Sequence, residues 1–475
     1  MSRPTVIVWF RDDLRVADNP ALIAAVESGL PVVPIFIWSP QEEHPWEPGG
    51  ASCWWLHQSL CSLDRSLRDV GSRLIIVDGA SGEALVRLAE NVQARSIFWN
   101  RRYEPAIIAR DKKLKTSLRD SGIDARSFPG NLLYEPWSIQ NSSGQPFRVF
   151  TPFWKALRAG EPPQDPFPKP KHIAIPSQWP ESLEIAGLAL EPRIDWAGGL
   201  RENWMPGEAG ANRQLERFLQ NRLHSYDEDR NRPDETGTSR LSPHLHFGEI
   251  SPRQVWQSIQ RQTSEGEKEA YLRQIMWREF AYHLLFHHPK TPREPLHPEF
   301  ARFPWRFDRK AFRAWTKGLT GYPLVDAGMR QLWHTGWMHN RMRMVTASFL
   351  IKHLLIPWQR GAEWFWDTLV DADLANNTFG WQWTAGCGAD ATPYFRIFNP
   401  TLQGEKFDPN GEYVRKWIPE IARLPTRWIH EPWAAPSQIL RDAGEELGGG
   451  YPFPIIDHVV ARKRALEAFA AIRER

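Results

Sequence analysis

Over its first 130 residues the chain alternates short β-branched runs with helical stretches, and few folds accommodate that order. TVIVWF (5–10), PVVPIFIW (31–38), RLIIVDG (73–79) and SIFWN (96–100) read as buried strands. Pro20 to Gly29, Trp54 to Val70, Glu83 to Asn91 and Pro105 to Ser121 read as helices, two of them opened by proline. Strand alternating with helix predicts a parallel sheet with helices on its faces, an α/β domain of Rossmann-like or flavodoxin-like type over 1–130. That pattern assigns no function by itself. Residues 131–200 are proline-rich and aperiodic, and read as a linker that wraps the surface in extended form. From about Ala211 an apolar spacing near 3.6 takes over. Segments 211–223, 252–262, 268–287, 309–317, 323–335, 337–356 and 361–370 each read as helix, so 201–475 is expected to be all-α.

The 475 residues suffice for two or three domains with a large core. No apolar run reaches membrane-spanning length. The opening MSRPTVIVWFRDDLR reads as a first strand and not as a signal peptide, because charge cuts its apolar run short. Three cysteines cannot make a paired disulfide framework, so a cytoplasmic setting is expected. The net charge of +3 is too small to identify a nucleic-acid partner. The unusual count is 25 tryptophans, aromatic surface available for stacking, electron transfer or packing.

The richest stretch is Asp371 to Asp408, DADLANNTFGWQWTAGCGADATPYFRIFNPTLQGEKFD. Acids, paired asparagines, tryptophans and glycines crowd together without a long apolar run. Polar groups beside flat aromatics suit a flat, hydrogen-bonding cofactor. A second candidate is Tyr226 with Thr238, Ser239, Arg240, Leu241 and Ser242, where hydroxyls and backbone N–H groups at a turn entering a helix suit a diphosphate. A plain helix cap at Ser242 is the alternative. On 268–287, Tyr271, Gln274, Trp277, Arg278 and Ala281 share one helical face. Asn340 and Met344 share another, with Arg343 adjacent.

DADLANNTFGWQW followed by PYFRIFNPTLQGEKFD resembles the flavin-binding core of the DNA photolyase/cryptochrome family. WFRDDLRVADNPAL and SYDEDRNRPDETGTSRLSPHL resemble its N-terminal signature and its diphosphate-binding segment. The resemblance covers nearly the whole chain. It implies an antenna-binding α/β domain, a helical FAD-binding domain and light-dependent repair of cyclobutane pyrimidine dimers in DNA by electron transfer from reduced FAD.

The resemblance also implies roles. Tyr226, Thr238, Ser239, Arg240, Leu241, Ser242, Tyr271, Arg278, Arg343, Asp371, Ala372, Asp373 and Asn377 would hold FAD. Asp371 would pair with Arg343, Asp373 would take the ribose or adenine end, and Asn377 would face flavin N5. Trp381, Trp358 and Trp305 match the chain that carries electrons from the surface to the flavin. Trp277 and Trp383 would stack on the extruded thymines, with Gln274, Asn340 and Met344 beside them. Arg230, Arg341 and Gln403 would touch DNA.

One position departs from the pattern. Class I pyrimidine-dimer photolyases carry glutamate where Gln274 stands, and (6-4) photolyases carry glutamine. The (6-4) enzymes, however, put histidines at the positions of Asn340 and Met344, so the cyclobutane dimer is the expected lesion. A signalling cryptochrome is the main alternative. Asn377, where plant cryptochromes have aspartate, and a chain ending at Arg475 without a long tail weigh against it. ARLPTRWIHEPW nonetheless resembles the plant cryptochrome ending and points to the class III group near those receptors. The antenna implied is methenyltetrahydrofolate, with a deazaflavin as the alternative and Trp38, Arg101, Tyr103 and Glu104 near strand ends. A monomer is expected, with UV-damaged DNA as partner, no membrane and no metal. His244 and His246 lack a third ligand nearby and read as packing. Gly386-Cys387-Gly388 follows no strand and makes no dinucleotide fingerprint.

Overall fold

A computed structural model describes residues 3–262, 265–391 and 395–473. Thr392 and the first two residues of the PYFRIF motif, Pro393 and Tyr394, lie outside the described residues. The chain forms two compact units. The first comprises Met1–Leu223, Ser239–Pro289 and Val370–Leu374, and the second comprises His224–Thr238, Lys290–Leu369 and Ala375–Arg475.

The first unit is built on a five-stranded sheet. Its strands are β1 (Thr5–Phe10), β2 (Val32–Trp38), β3 (Ile75–Asp78), β4 (Ala94–Asn100) and β5 (Asp124–Phe128), in the order β3-β2-β1-β4-β5. All the pairs are parallel, as crossover helices require. The crossovers are α1 (Pro20–Glu27), α2 (Gly50–Arg68), α3 (Ser81–Asn91) and α4 (Pro105–Asp120). β1 is buried along its whole length, because neighbours flank it and helices cover both faces. One core joins Ile7, Trp9, Ile35, Ile75, Leu85, Ile97 and Leu118.

Two elements of this unit carry no sequence signal. β5 reads DARSF, and only Ala125 is buried in it, as suits an edge strand with one neighbour. Inside the stretch read as linker, Phe150–Ala159 is a helix that buries Phe150, Phe153, Trp154 and Leu157. It packs against the helix Glu265–His287 of the same unit.

The described part of the second unit is helical, without a strand. Pro323–Thr335 matches its sequence pattern residue for residue and stops at Gly336, whose φ of 65° places it in the left-handed region. The helix expected over 337–356 is shorter. It runs from Asn340 to Ser348 and passes into a π-helical turn, Phe349–His353. The largest correction concerns the cofactor stretch. It is absent from the helices expected above, yet Leu374–Ala385 is a helix. Asn376, Asn377, Gly380 and Gln382 interrupt its apolar spacing, so no periodic stripe betrays it.

Candidate functional site

The candidate residues fall into both units. In the first, Ser239 to Ser242 forms the turn that leads into a short helix, Ser242–His246. Arg240 has φ of 51°, and Leu241 follows in the right-handed helical region at φ −86°, ψ −5°. Such an opposed pair turns successive N–H groups to one side, the geometry of an anion nest. The turn is fixed from behind. The Tyr271 hydroxyl donates to Ser239 Oγ at 2.9 Å, and Gln214 Nε2 donates to the Ser239 carbonyl at 2.8 Å. The Arg240 guanidinium lies 4.1 Å from the centre of the Trp204 ring, and burial pulls it down to about 10. Ser242 is the first helical residue and not the cap, which is Leu241.

The same unit holds Asp371, Ala372 and Asp373, all buried. Asp373 accepts from the Tyr282 hydroxyl and lies 3.7 Å from His246 Nδ1. Burial alone would raise its carboxyl. His246, Arg278 and Tyr282 outweigh that and hold it well below the carboxylate range. Arg278 donates to the Asn131 carbonyl at 2.8 Å and covers the Tyr282 ring at 4.9 Å. Next to it, Glu279 accepts from the N–H groups of Leu133 and Tyr134, and burial pushes it up to about 7. Gln274 and Trp277 are half-buried. Phe150 stacks on Trp277 with centroids 3.6 Å apart and planes 8° from parallel. These parts fit an adenine dinucleotide of flavin: a nest and hydroxyls for a diphosphate, and a buried anionic carboxylate for a ribose or adenine.

In the second unit, Tyr226 is buried and its hydroxyl is pushed up to about 12 by that burial. Thr238 is half-buried. Arg341 donates to Asn231 Oδ1 at 2.6 Å and lies over Phe407 at 4.3 Å. Burial first, then the charges of Arg230 and Arg396, pull Arg341 below its ordinary value. Such a crowd of cations is relieved by an anion, which suits phosphate. Arg230 lies 3.7 Å from Asp227, and the buried Oε1 of Gln403 has no partner among the described residues. Asn340 is exposed at the start of its helix, with Met344 half-buried one turn on. Arg343 donates to the Met338 carbonyl at 2.8 Å.

Asn377 gives an amide N–H to the Ala362 carbonyl at 3.1 Å, which fixes the side chain and leaves its own carbonyl oxygen as an acceptor. Trp381 and Trp358 are each 2% exposed, whereas Trp305 is half-buried, packed 4.4 Å from Phe303. Trp381 meets Phe365 edge-on at 5.0 Å. Trp383 donates to the Asp390 carbonyl at 3.1 Å.

The antenna candidates of the α/β sheet are engaged with their own chain. Arg101 pairs with Glu135 at 3.0 Å, Tyr103 donates to Glu135 at 3.1 Å, Glu104 pairs with Arg102 at 3.2 Å, and Trp38 is half-buried at the end of β2. The strand order reverses between β1 and β4, where doubly wound folds bind nucleotides. Here Asn100 fills that place, donating to Asp13 at 2.6 Å and to Asn19 at 2.8 Å. Sequence reasoning missed Phe150, Tyr282 and the tie of His246 to Asp373. Each depends on a partner distant in sequence, and no local signal reports it.

Two family models match. The one described as DNA photolyase covers residues 6–171, and the one described as FAD binding domain of DNA photolyase covers 271–471. The deoxyribodipyrimidine photo-lyase of Agrobacterium fabrum is 50% identical over 473 residues, 99% of this chain and 98% of that protein. Cryptochrome-1 of Arabidopsis thaliana is 43% identical over 98% of this chain and 70% of its own length. The solved structure of a bacterial class III photolyase from Agrobacterium tumefaciens matches with a TM-score of 0.96 at 49% identity, covering 100% of this chain and 99% of that one.

Proposed function

The chain belongs to the DNA photolyase/cryptochrome family, and from that premise we propose that it is a deoxyribodipyrimidine photo-lyase that repairs cyclobutane pyrimidine dimers in light. The observation that carries this reading is the 50% identity, end to end, with a protein of that name. In its reduced form, bound FAD supplies light absorption and the electron that opens the cyclobutane ring.

The chain's own residues bind and orient. Ser239, Arg240, Leu241 and Ser242 receive the diphosphate, with Tyr226, Thr238 and Tyr271 completing that end. Asp373 takes the ribose or adenine, and Ala372 beside it also lines the cofactor. Asp371 and Arg343 serve the ring, Arg278 flanks it, and the Asn377 oxygen accepts a hydrogen bond at N5. Trp381, Trp358 and Trp305 conduct electrons inward from the surface. An antenna chromophore, methenyltetrahydrofolate by resemblance, belongs to the α/β domain of residues 1–130, ahead of the linker 131–200 and the FAD- and DNA-binding domain 201–475.

The lesion must leave the duplex to be repaired, which costs a few kcal/mol and less for a damaged pair. Stacking on Trp277 and Trp383, worth about 1–3 kcal/mol per base, offsets much of that cost. Arg230, Arg341 and Gln403 contact phosphate or sugar and fix register without reading sequence. Asn340 and Met344 favour the cyclobutane dimer. Gln274 can bond a thymine edge but supplies neither proton nor charge. The protein acts as a cytoplasmic monomer.

The 43% identity with a cryptochrome supports a second reading, blue-light signalling without repair. Illuminating the reduced protein with oligonucleotides carrying either a cyclobutane dimer or a (6-4) lesion separates the cases. Repair of the first alone is expected. Repair of the second alone reassigns the lesion, and repair of neither favours signalling.

A further inference from the structure

His246 looks like packing in the sequence, yet it lies in the midst of a buried charge cluster. The turn that carries it docks on the loop after β1. Leu14 N–H donates to the Phe247 carbonyl at 3.0 Å, and Arg15 Nη1 donates to the Gly248 carbonyl at 2.9 Å. Gly248 has φ of +62°, and a Cβ there would lie 2.2 Å from the Asp12 carbonyl oxygen, so no other residue permits this approach. The imidazole is thereby held 3.7 Å from Asp373, with side-chain exposures of 13% and 6%.

Each element around the ring contributes charge. The β1 loop brings Asp12, and the segment after β4 brings Arg102. Arg102 pairs with Asp12 at 3.0 Å, with Glu43 at 2.7 Å and with Glu104 at 3.2 Å. The helix Glu265–His287 brings Arg278 and Tyr282, both acting on Asp373.

We infer that His246 is a positioning residue for the cofactor: a cation 3.7 Å from Asp373 that keeps Asp373 anionic and aimed at the FAD ribose or adenine. The inference rests on the reading of Asp373 given above. Burial lowers the imidazole, but Asp373 and Asp12 outweigh it, so the net shift is upward from the ordinary histidine range. Burial raises Asp12 to about 6, so it is an anion above neutrality. Tyr282 is displaced far upward, chiefly by burial. Of the groups that act directly on Asp373, His246 is thus the one that changes charge as pH rises above the ordinary histidine range. Losing its proton leaves Asp373 with Arg278 as its remaining cation.

The test measures FAD release from the holoprotein, by the rise in flavin fluorescence, between pH 6 and pH 9.5. Wild type is expected to release FAD faster as pH rises through the imidazole's elevated pKa. His246→Gln, which carries no charge, is expected to release it roughly tenfold faster at pH 6.5, the scale of about one pKa unit of charge–charge interaction, with no inflection. His246→Arg is expected to retain FAD with no inflection. A flat wild-type profile, or an unaltered inflection in His246→Gln, overturns the inference. Asp373→Asn separates the two readings. If it keeps FAD as wild type does, the role of Asp373 fails. If it sheds FAD while His246→Gln behaves as wild type, that role stands and the inference about His246 falls.

Discussion

At the scale of single residues, Trp277 shows how a stacking platform is built. An indole that must receive a base cannot be free to turn, and Phe150, itself fully buried, backs it at 3.6 Å. We expect Trp277→Ala to weaken binding to dimer-containing DNA by about 1–3 kcal/mol while FAD remains bound. A gel-shift titration with unchanged affinity contradicts the stacking role. Trp381 depends on a neighbour in another way. A Cβ on Gly361 would lie 2.0 Å from Cη2 of its ring, so a glycine there makes room for the indole. Gly361→Ala is therefore expected to displace Trp381 and, like Trp381→Phe, to slow photoreduction of oxidised flavin several-fold. Bleaching of the flavin band under blue light at the wild-type rate in both variants argues against the electron chain. The sequence named Trp277 and Trp381 but neither Phe150 nor Gly361, because a side chain's backing comes from a remote segment.

At the scale of elements, legibility followed periodicity. β1 to β4 announced themselves by β-branched runs, and Pro323–Thr335 by its spacing and its closing glycine. Leu374–Ala385 did not, since the amides and glycine along it break the apolar stripe. The π-helical turn Phe349–His353 was equally hidden, although all five of its residues are buried. Within it Lys352 is 4% exposed, donates to the Arg396 carbonyl and lies 4.5 Å over Phe395. Burial pulls its ammonium down to about 7. The folded-state pKa is thus depressed below the unfolded one. Between about 7 and the ordinary lysine range the unfolded chain binds more protons, so this group's contribution to stability rises with pH across that window. Lys352→Met removes the cost of burying the charge. It should raise the melting temperature by about 2 °C or more at pH 6, and by progressively less towards pH 10. An equal gain at both ends of that range contradicts the assignment.

At the scale of the whole molecule, each compact unit collects three separate stretches of chain. A linear reading finds where the pattern changes from strand–helix to helix, but not which distant stretches condense together. Segments such as Val370–Leu374 belong with residues far upstream of them. None of the described helices is long and apolar enough to cross a membrane. The family, by contrast, was written plainly, because its motifs fix residue types at set spacings across most of the length. What the chain does with light and DNA is then a question for one measurement. The reduced protein is mixed with an oligonucleotide bearing a single cyclobutane thymine dimer, and absorbance near 260 nm is followed in darkness and then under blue light. Recovery of thymine absorbance only in light, with many dimers restored per protein, is the predicted result. No recovery in light by FAD-loaded, reduced protein that binds the oligonucleotide contradicts the account.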